Sequence, residues 1–204
     1  IFIKELWFCP QPQNMKQLQA LLPVVGVILE KRGYVEMSSK VSNLLEVLSG
    51  GDVKRYHTLP TIGEQTVANH SWGVAMILNW LEPEISKTAM LKALTHDVAE
   101  KQTGDIPAPT KWKNKSLAKR LAGLERKIEK ELGVDYVLTE KEQVLFKQAD
   151  MFELLLYCVK QRSLGNVNVN TVFSNGVEKL VGTKLNARGT SLLAKLIESY
   201  GGVE

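Results

Sequence analysis

Along most of the chain the apolar residues recur every three or four positions, which is the spacing of amphipathic helices. No segment alternates apolar and polar residues over the length of a strand, so the pattern predicts an all-α fold. Glycines follow the first two predicted helices, at Gly33 and Gly50, and Thr139 with Glu142 forms a capping box that begins the sixth. The predicted helices cover residues 15–31, 37–48, 67–81, 87–102, 116–132, 139–163, 171–181 and 190–200, with a loop over residues 52–63.

The order of these segments predicts one helical domain over residues 36–204, preceded by a helical N-terminal extension over residues 1–35. The longest apolar run, residues 21–29, is about half as long as the ~20 residues that span a bilayer. We therefore expect no membrane segment.

Composition narrows the class of protein further. The chain has 204 residues, of which 44% are hydrophobic and 24% charged, so it is long enough to bury a core without a disulfide or a structural metal. Its two cysteines, Cys9 and Cys158, form no C-x-x-C motif, which is typical of a reducing compartment and predicts a cytoplasmic protein. The net charge of +4 favours small anionic ligands but is too low to predict nucleic-acid binding.

Ionisable residues stand out on the predicted helix over residues 87–102. On a helical wheel His96, Asp97 and Glu100 fall within an arc of about 100°. The same face carries Ala89 and Ala93, small residues that allow another helix to approach closely. Because burial of an unpaired charge is very costly, this face requires partners for its charged groups.

The predicted helix over residues 139–163 is apolar on nearly all sides from residue 144 to 159, yet Asp150 lies in its middle. Taken alone, Asp150 is better explained by an ion pair with Lys147 three residues earlier, and His70 by a capping or core role. Taken together, His70, His96, Asp97 and Asp150 predict a metal site. Imidazole and carboxylate ligands suit a divalent Mn, Co, Zn or Fe ion better than Mg or Ca.

Five short sequence motifs form a more specific pattern: Arg55-Tyr56, Asn69-His70-Ser71, residues 96–100 (HDVAE), residues 103–111 (TGDIPAPTK) and residues 147–150 (KQAD). Over residues 53–163 they resemble the HD superfamily of metal-dependent phosphohydrolases, and within it the bacterial 5′-deoxynucleotidases and the bacteriophage dATP triphosphohydrolases. This resemblance implies a helical HD-domain bundle that forms homo-oligomers.

The resemblance also implies roles for individual residues. It assigns metal ligation to His70, His96, Asp97 and Asp150, acid–base work to Glu100 and Asp105, and phosphate contacts to Arg55, Lys111 and Lys147. Tyr56 or His57 is expected to stack on the base or sugar, with Trp72 and Trp112 as weaker alternatives. Lys111 also fits an exposed basic helix entrance. One departure is Asn69, where the bacterial enzymes often have Glu, and it leaves the partner of His70 undefined.

Hydrolysis is the expected reaction, because a divalent ion acidifies bound water and polarises a phosphoryl oxygen. The first hypothesis is a 5′-deoxynucleotidase that splits a deoxynucleoside monophosphate into deoxynucleoside and phosphate. A second is a deoxynucleoside triphosphate hydrolase, selective for dATP, that releases triphosphate. A third, from another class, is a nucleotide-binding module without catalysis.

Overall fold

The computed structural model of the protein describes residues 34–201, apart from the side chains of residues 34–38, 108 and 112. Within that range the regular structure is helical, with a single antiparallel bridge between Lys54 and Thr66. The prediction of an all-α fold is confirmed. None of the helices in the part of the chain that the structure covers is long and apolar enough to cross a membrane.

The helices are numbered here in chain order. They are α1 (Tyr34–Gly50), α2 (Val67–Leu81), α3 (Lys87–Thr95), α4 (Glu100–Thr103), α5 (Ala108–Lys113), α6 (Lys115–Leu132), α7 (Glu140–Ser163), α8 (Asn170–Val181) and α9 (Ala187–Gly201), with a 3₁₀ turn at Val167–Val169 before α8. The predicted helix over residues 15–31 lies outside the described residues.

The chain divides into two units at the boundary between Asn43 and Leu44. Helix α1 contains the division point, and all later elements belong to the second unit. The boundary expected after residue 35 stays a prediction, because residues 1–33 are outside the described range.

Helix α7 is the central helix of the second unit, as its apolar sequence predicted. It begins at a capping box in which the Thr139 side chain accepts a hydrogen bond from the Glu142 amide, and Glu142 accepts one from the Thr139 amide. Phe152, Leu155 and Cys158 of α7 are completely buried against α2, α8 and α9. A helix surrounded in this way has few positions where a charge meets water, so its buried carboxylates need partners.

Helices α2 and α3 complete the wall beside α7. Helix α2 begins at a second capping box, formed by Thr66 and Asn69. Ala89 and Ala93 of α3 are completely buried, in agreement with the close helix approach that their size predicted. This packing brings the C-terminal end of α3 toward the middle of α7.

Two predicted elements differ in the structure. The helix expected over residues 87–102 ends at Thr95, and residues 96–99 form a turn before α4. In this turn the backbone N–H groups donate hydrogen bonds to carbonyl oxygens three residues earlier, as Glu100 N–H does to Asp97 O at 2.9 Å. This spacing tightens the backbone as in a 3₁₀ helix. The segment after Pro107, where no helix was predicted, forms the short helix α5, and Pro109 in its first turn is compatible with a helix start.

Candidate active site

Four side chains from α2, the α3–α4 turn and α7 meet in the second unit, where the two histidines are largely buried and Asp150 is partly exposed. Asp97 Oδ2 lies 3.7 Å from His70 Nε2 and 3.3 Å from His96 Nε2, and the ligand atoms of these three residues lie within 4.8 Å of one another. Asp150 Oδ1 lies 3.1 Å from His70 Nε2. The structure thus brings together all four residues that the sequence predicted as metal ligands.

The two imidazoles present the nitrogen that a metal requires. His96 Nδ1 lies 2.9 Å from the carbonyl oxygen of Ala93, an acceptor that places the proton on Nδ1. His70 Nδ1 is paired in the same way with the Glu153 carboxylate. Both Nε2 atoms are buried and have no hydrogen-bond partner among residues 34–201. Two buried lone pairs directed at a carboxylate fit a bound cation, which satisfies all three groups.

Asp97 is held in its charged form by its neighbours. Its Oδ2 accepts a hydrogen bond from Arg55 NH1 at 2.8 Å, and the Arg55 side chain is only 14% exposed. Burial acts to raise the pKa of Asp97, but its interactions with His96 and with the Arg55 guanidinium outweigh burial and hold that pKa well below its ordinary value. The carboxylate is therefore ready to ligate a cation at neutral pH.

Glu100 has the opposite electrostatic environment. Burial, followed by the negative charges of Asp97 and Asp105, raises the pKa of Glu100 to about 8. Its Oε2 is buried without a hydrogen-bond partner in the described part of the chain. A carboxyl group that titrates near neutral pH is suited to proton transfer, which is the role the resemblance implied.

Asp105 is fixed by two unusual backbone conformations. Tyr56 has a φ of 58°, which is uncommon for a residue with a side chain, and its amide donates to Asp105 Oδ2 at 3.1 Å. Gly104, with φ 72° and ψ 159°, occupies a region that essentially only glycine adopts. Both features turn the chain so that Asp105 lies close to the loop that carries Arg55 and Tyr56.

A cavity of about 590 Å³ opens beside these groups, which is within the usual range for small-molecule sites. Seven predicted site residues line it: Arg55, Tyr56, Asp97, Glu100, Asp105, Lys111 and Asp150. The lining also includes the apolar residues Leu59, Pro107 and Leu154. The cavity therefore combines charged groups, suited to phosphate, with apolar groups, suited to a sugar or base.

The predicted aromatic contacts divide clearly. The Tyr56 ring lines the cavity and stacks on Tyr157 of α7, with ring centroids 4.5 Å apart and planes 3° apart. His57 is exposed and Trp72 is 65% exposed, and neither lines the cavity. The Trp112 side chain lies outside the described residues.

Lys147 differs from its expected position. It lies on an exposed part of α7 and lines a neighbouring hollow of about 230 Å³, not the cavity itself. The alternative ion pair with Asp150 does not form among residues 34–201 either, because Asp150 is turned toward His70. Lys179 of α8, which the sequence did not single out, lines both the cavity and the hollow.

Sequence reasoning also missed the partners of His70. Asn69 does not reach the imidazole, because its side chain is engaged with Thr66 in the capping box of α2. Glu153 of α7 takes that place, and Gln65 donates to it at 2.7 Å. The sequence pattern that indicated Asp150 also applies to Glu153. Both are carboxylates on an apolar helix, and Glu153 follows Asp150 by three residues on the same face.

The described fold and site agree with a known family. The model of the 5′-deoxynucleotidase YfbR-like family matches residues 51–190. The chain belongs to this family. The match begins just before the loop that carries Arg55 and Tyr56 and ends within α9, so it includes every residue of the predicted site.

Individual relatives agree with the family match. A 5′-deoxynucleotidase of Klebsiella pneumoniae is 25% identical over 174 residues, which cover 72% of this chain and 86% of the relative. A 5′-deoxynucleotidase of Enterobacter sp. (strain 638) is 28% identical over 140 residues, covering 56% of this chain and 69% of the relative.

Two solved structures share the fold. DatZ, an HD phosphohydrolase of cyanophage S-2L bound to dA and one catalytic Zn²⁺ ion, has a TM-score of 0.60 and 21% identity, covering 77% of this chain and 95% of its own. The PH0347 protein of Pyrococcus horikoshii OT3 has a TM-score of 0.64 and 20% identity, covering 78% of this chain and 99% of its own. The resemblance to HD-superfamily phosphohydrolases is confirmed, and the clustered histidines and aspartates indicate a divalent metal centre.

Proposed function

We propose that this YfbR-like chain is a metal-dependent 5′-deoxynucleotidase, which hydrolyses deoxynucleoside monophosphates to deoxynucleosides and phosphate. The observation that carries the proposal is the pair of buried Nε2 atoms directed at Asp97 beside a cavity of nucleotide size. Neither atom has a hydrogen-bond partner within residues 34–201. The family match and the 5′-deoxynucleotidase relatives support it independently.

The proposed metal ligands are His70, His96, Asp97 and Asp150. Two imidazoles and two carboxylates favour a borderline divalent ion, so we propose Mn, Co, Zn or Fe. When bound, such an ion acidifies water and polarises a phosphoryl oxygen, which provides hydrolysis without a covalent enzyme intermediate.

The protein's own groups supply charge and protons at the reacting phosphate. Arg55 and Lys111 both line the cavity, where their cations offset the phosphate charge that grows in the transition state. We assign proton transfer to Glu100 and Asp105, one at the attacking water and one at the leaving sugar oxygen. The pKa of about 8 at Glu100 supports this assignment, because the group carries and releases a proton near neutral pH.

The sugar and base are proposed to lie against Tyr56 and the apolar residues of the cavity lining. Stacking on Tyr157 fixes the Tyr56 ring in one plane, so it offers a preformed surface to a flat or puckered ring. Leu59, Pro107 and Leu154 provide apolar contact that does not distinguish one base from another.

Incubation with dAMP and Mn²⁺ or Co²⁺ tests the proposal directly. We expect release of phosphate and deoxyadenosine, and loss of this activity in Asp97→Ala and Asp150→Ala. Glu100→Gln is expected to retain metal binding but to lower the rate by about 10²-fold or more. Normal turnover in either aspartate variant refutes the proposed centre, and loss of metal in Glu100→Gln makes Glu100 a ligand.

A specific observation favours one second candidate, a deoxynucleoside triphosphate hydrolase selective for dATP. The hollow of about 230 Å³ adjoins the cavity at Met151 and Lys179 and is also lined by Lys147, so it offers space and two cations for further phosphates. Release of triphosphate from dATP, weakened by Lys147→Met, would support this candidate, whereas phosphate release from dAMP alone contradicts it. Binding of both nucleotides without any product corresponds to the third hypothesis, a non-catalytic module. Homo-oligomerisation and a cytoplasmic location remain proposals.

A further inference from the structure

Glu153 is a buried carboxylate that neither the predicted site nor the proposed reaction uses. We propose that Glu153 is a positioning residue of the metal centre, which fixes the tautomer and orientation of His70 and makes its imidazole a stronger ligand. The inference rests on the metal site of the proposed function.

The contacts of Glu153 define the state of the His70 ring. Glu153 is 7% exposed, and its two oxygens accept hydrogen bonds from His70 Nδ1 and, at 2.7 Å, from Gln65 Nε2. An ionised carboxylate only accepts hydrogen bonds, so this contact requires the proton of a neutral imidazole to lie on Nδ1. The lone pair of Nε2 is then directed at Asp97 and Asp150.

The two histidines of the centre are held by different acceptors. His96 Nδ1 is paired with a neutral backbone carbonyl, that of Ala93, whereas His70 Nδ1 is paired with a carboxylate. A negative acceptor increases the electron density of the ring, which raises the basicity of the other nitrogen. We therefore expect substitution of Glu153 to weaken metal binding through His70, without direct contact between Glu153 and the metal.

Gly73 provides the space that this arrangement needs. It follows His70 by three residues on α2, and a Cβ at this position would lie 2.8 Å from Glu153 Cγ. Real Cβ atoms essentially never approach so closely, so any larger residue here displaces the Glu153 side chain. Glycine within a helix costs about 1 kcal/mol relative to alanine, and access for the carboxylate is a reason for its presence.

The test measures Zn²⁺ affinity in the metal-stripped full chain by competition with a chromogenic chelator, in the absence of nucleotide. Glu153→Gln keeps the shape but removes the charge, and we expect Zn²⁺ binding to weaken by about 10- to 100-fold. The variant is expected to fold, because Gln65 Oε1 has no hydrogen-bond partner among the described residues and is free to accept from the new amide. Far-ultraviolet circular dichroism and the melting temperature of the stripped proteins verify folding.

Two further variants separate positioning from a general structural effect. Gly73→Ala keeps the carboxylate but displaces it, so it is expected to weaken Zn²⁺ binding in the same direction. Glu140→Gln removes an exposed carboxylate at the start of the same helix and is expected to bind Zn²⁺ as the wild type does. Spectra of ¹⁵N-labelled histidine, of which the chain has three, are expected to show an Nδ1–H tautomer for His70 that Glu153→Gln retains through its amide oxygen and that Gly73→Ala disturbs.

Each outcome decides the inference. Zn²⁺ affinity within threefold of the wild type in both Glu153→Gln and Gly73→Ala overturns the positioning role and leaves the proposed function intact. A wild-type chain that binds no Zn²⁺ overturns the metal centre and this inference together. Weakened binding in both variants with unchanged Glu140→Gln supports the role even where no nucleotidase activity is found.

Discussion

Gln161 connects the stability of the fold to the shape of the cavity. This side chain near the end of α7 is 1% exposed and holds the loop after Tyr56 by its amide group. Its Oε1 accepts from the Ile62 amide at 2.8 Å, and its Nε2 donates to the Ile62 carbonyl at 2.8 Å. Asn166 Nδ2 also donates to Oε1 at 2.8 Å and to the Pro60 carbonyl at 2.9 Å.

Gln161→Met removes three hydrogen bonds while it keeps the length of the side chain. At about 0.5–1.5 kcal/mol each, the three bonds contribute roughly 1.5–4.5 kcal/mol. Ile62 is 47% exposed, so water replaces part of what its backbone loses, and we expect the free energy of unfolding to fall by about 2 kcal/mol. For a domain of this size that lowers the melting temperature by about 4–8 °C.

Urea unfolding followed by circular dichroism measures this change in the free energy of unfolding. We expect the variant and the wild type to show the same slope of free energy against urea concentration. Gln143→Met is the matched control: the same substitution in the first turn of α7, where the side chain makes no hydrogen bond among residues 34–201. Because the released loop carries Tyr56, the KM for nucleotide is expected to rise severalfold. A loss below about 0.5 kcal/mol, or one equal to that of Gln143→Met, refutes the anchoring role of Gln161.

Three further predictions concern other parts of the second unit. Lys92 Nζ lies 2.8 Å from both oxygens of Glu129, with side chains 18% and 10% exposed, so Glu129→Gln is expected to lower the free energy of unfolding by about 1–3 kcal/mol. Burial raises the pKa of the Cys158 thiol to about 12, so on a Cys9→Ser background it is expected to react with thiol reagents at pH 8 only after unfolding. Its contribution to stability is complete below the pKa of the unfolded thiol, about 8.5, and is lost as the pH rises toward 12. Gly104→Ala is expected to cost about 1–3 kcal/mol, because its backbone conformation strains any other residue.

Each of these has a control and a contrary result. Glu131→Gln, in an exposed pair with Lys127, is expected to change stability by less than about 0.5 kcal/mol, and an equal loss in Glu129→Gln contradicts the buried pair. Fast labelling of folded Cys158 contradicts its burial, and a stability profile above pH 9 that is identical in Cys158→Ala contradicts the pKa shift. For Gly104→Ala the control is Gly123→Ala within α6, where nothing lies near the added Cβ, so that variant is expected to be neutral or stabilising.

Helical periodicity predicted most of the fold because each helix repeats its apolar face many times, so a local error in one position matters little. The break of the helix at His96 was not predictable in this way. Residues 91–98 are compatible with a continuous helix, and the tighter turn is part of the packing that brings His96 and Asp97 together beneath the cavity. Similarly, the short helix at Ala108–Lys113 depends on its place beside the site more than on its own apolar pattern.

The candidate ligands were predictable because a charged residue on an apolar helix is unusual, and the sequence alone shows this at Asp150. Distances between segments were not predictable, and they decide which cations line the cavity. Lys147 belongs to the same sequence motif as Asp150 but lies outside the cavity. Lys179 lines the cavity, although no sequence motif points to it.

By itself, the sequence determined the helical class and singled out the four histidine and aspartate side chains that cluster in the fold, since these depend on residue type and on spacing within single segments. Only the tertiary structure decided which partner orients each imidazole and which lysine lines the cavity. Glu153 reaches His70 across 83 positions of chain. Contacts of that kind depend on how helices pack, a property of many side chains acting together that no local pattern records.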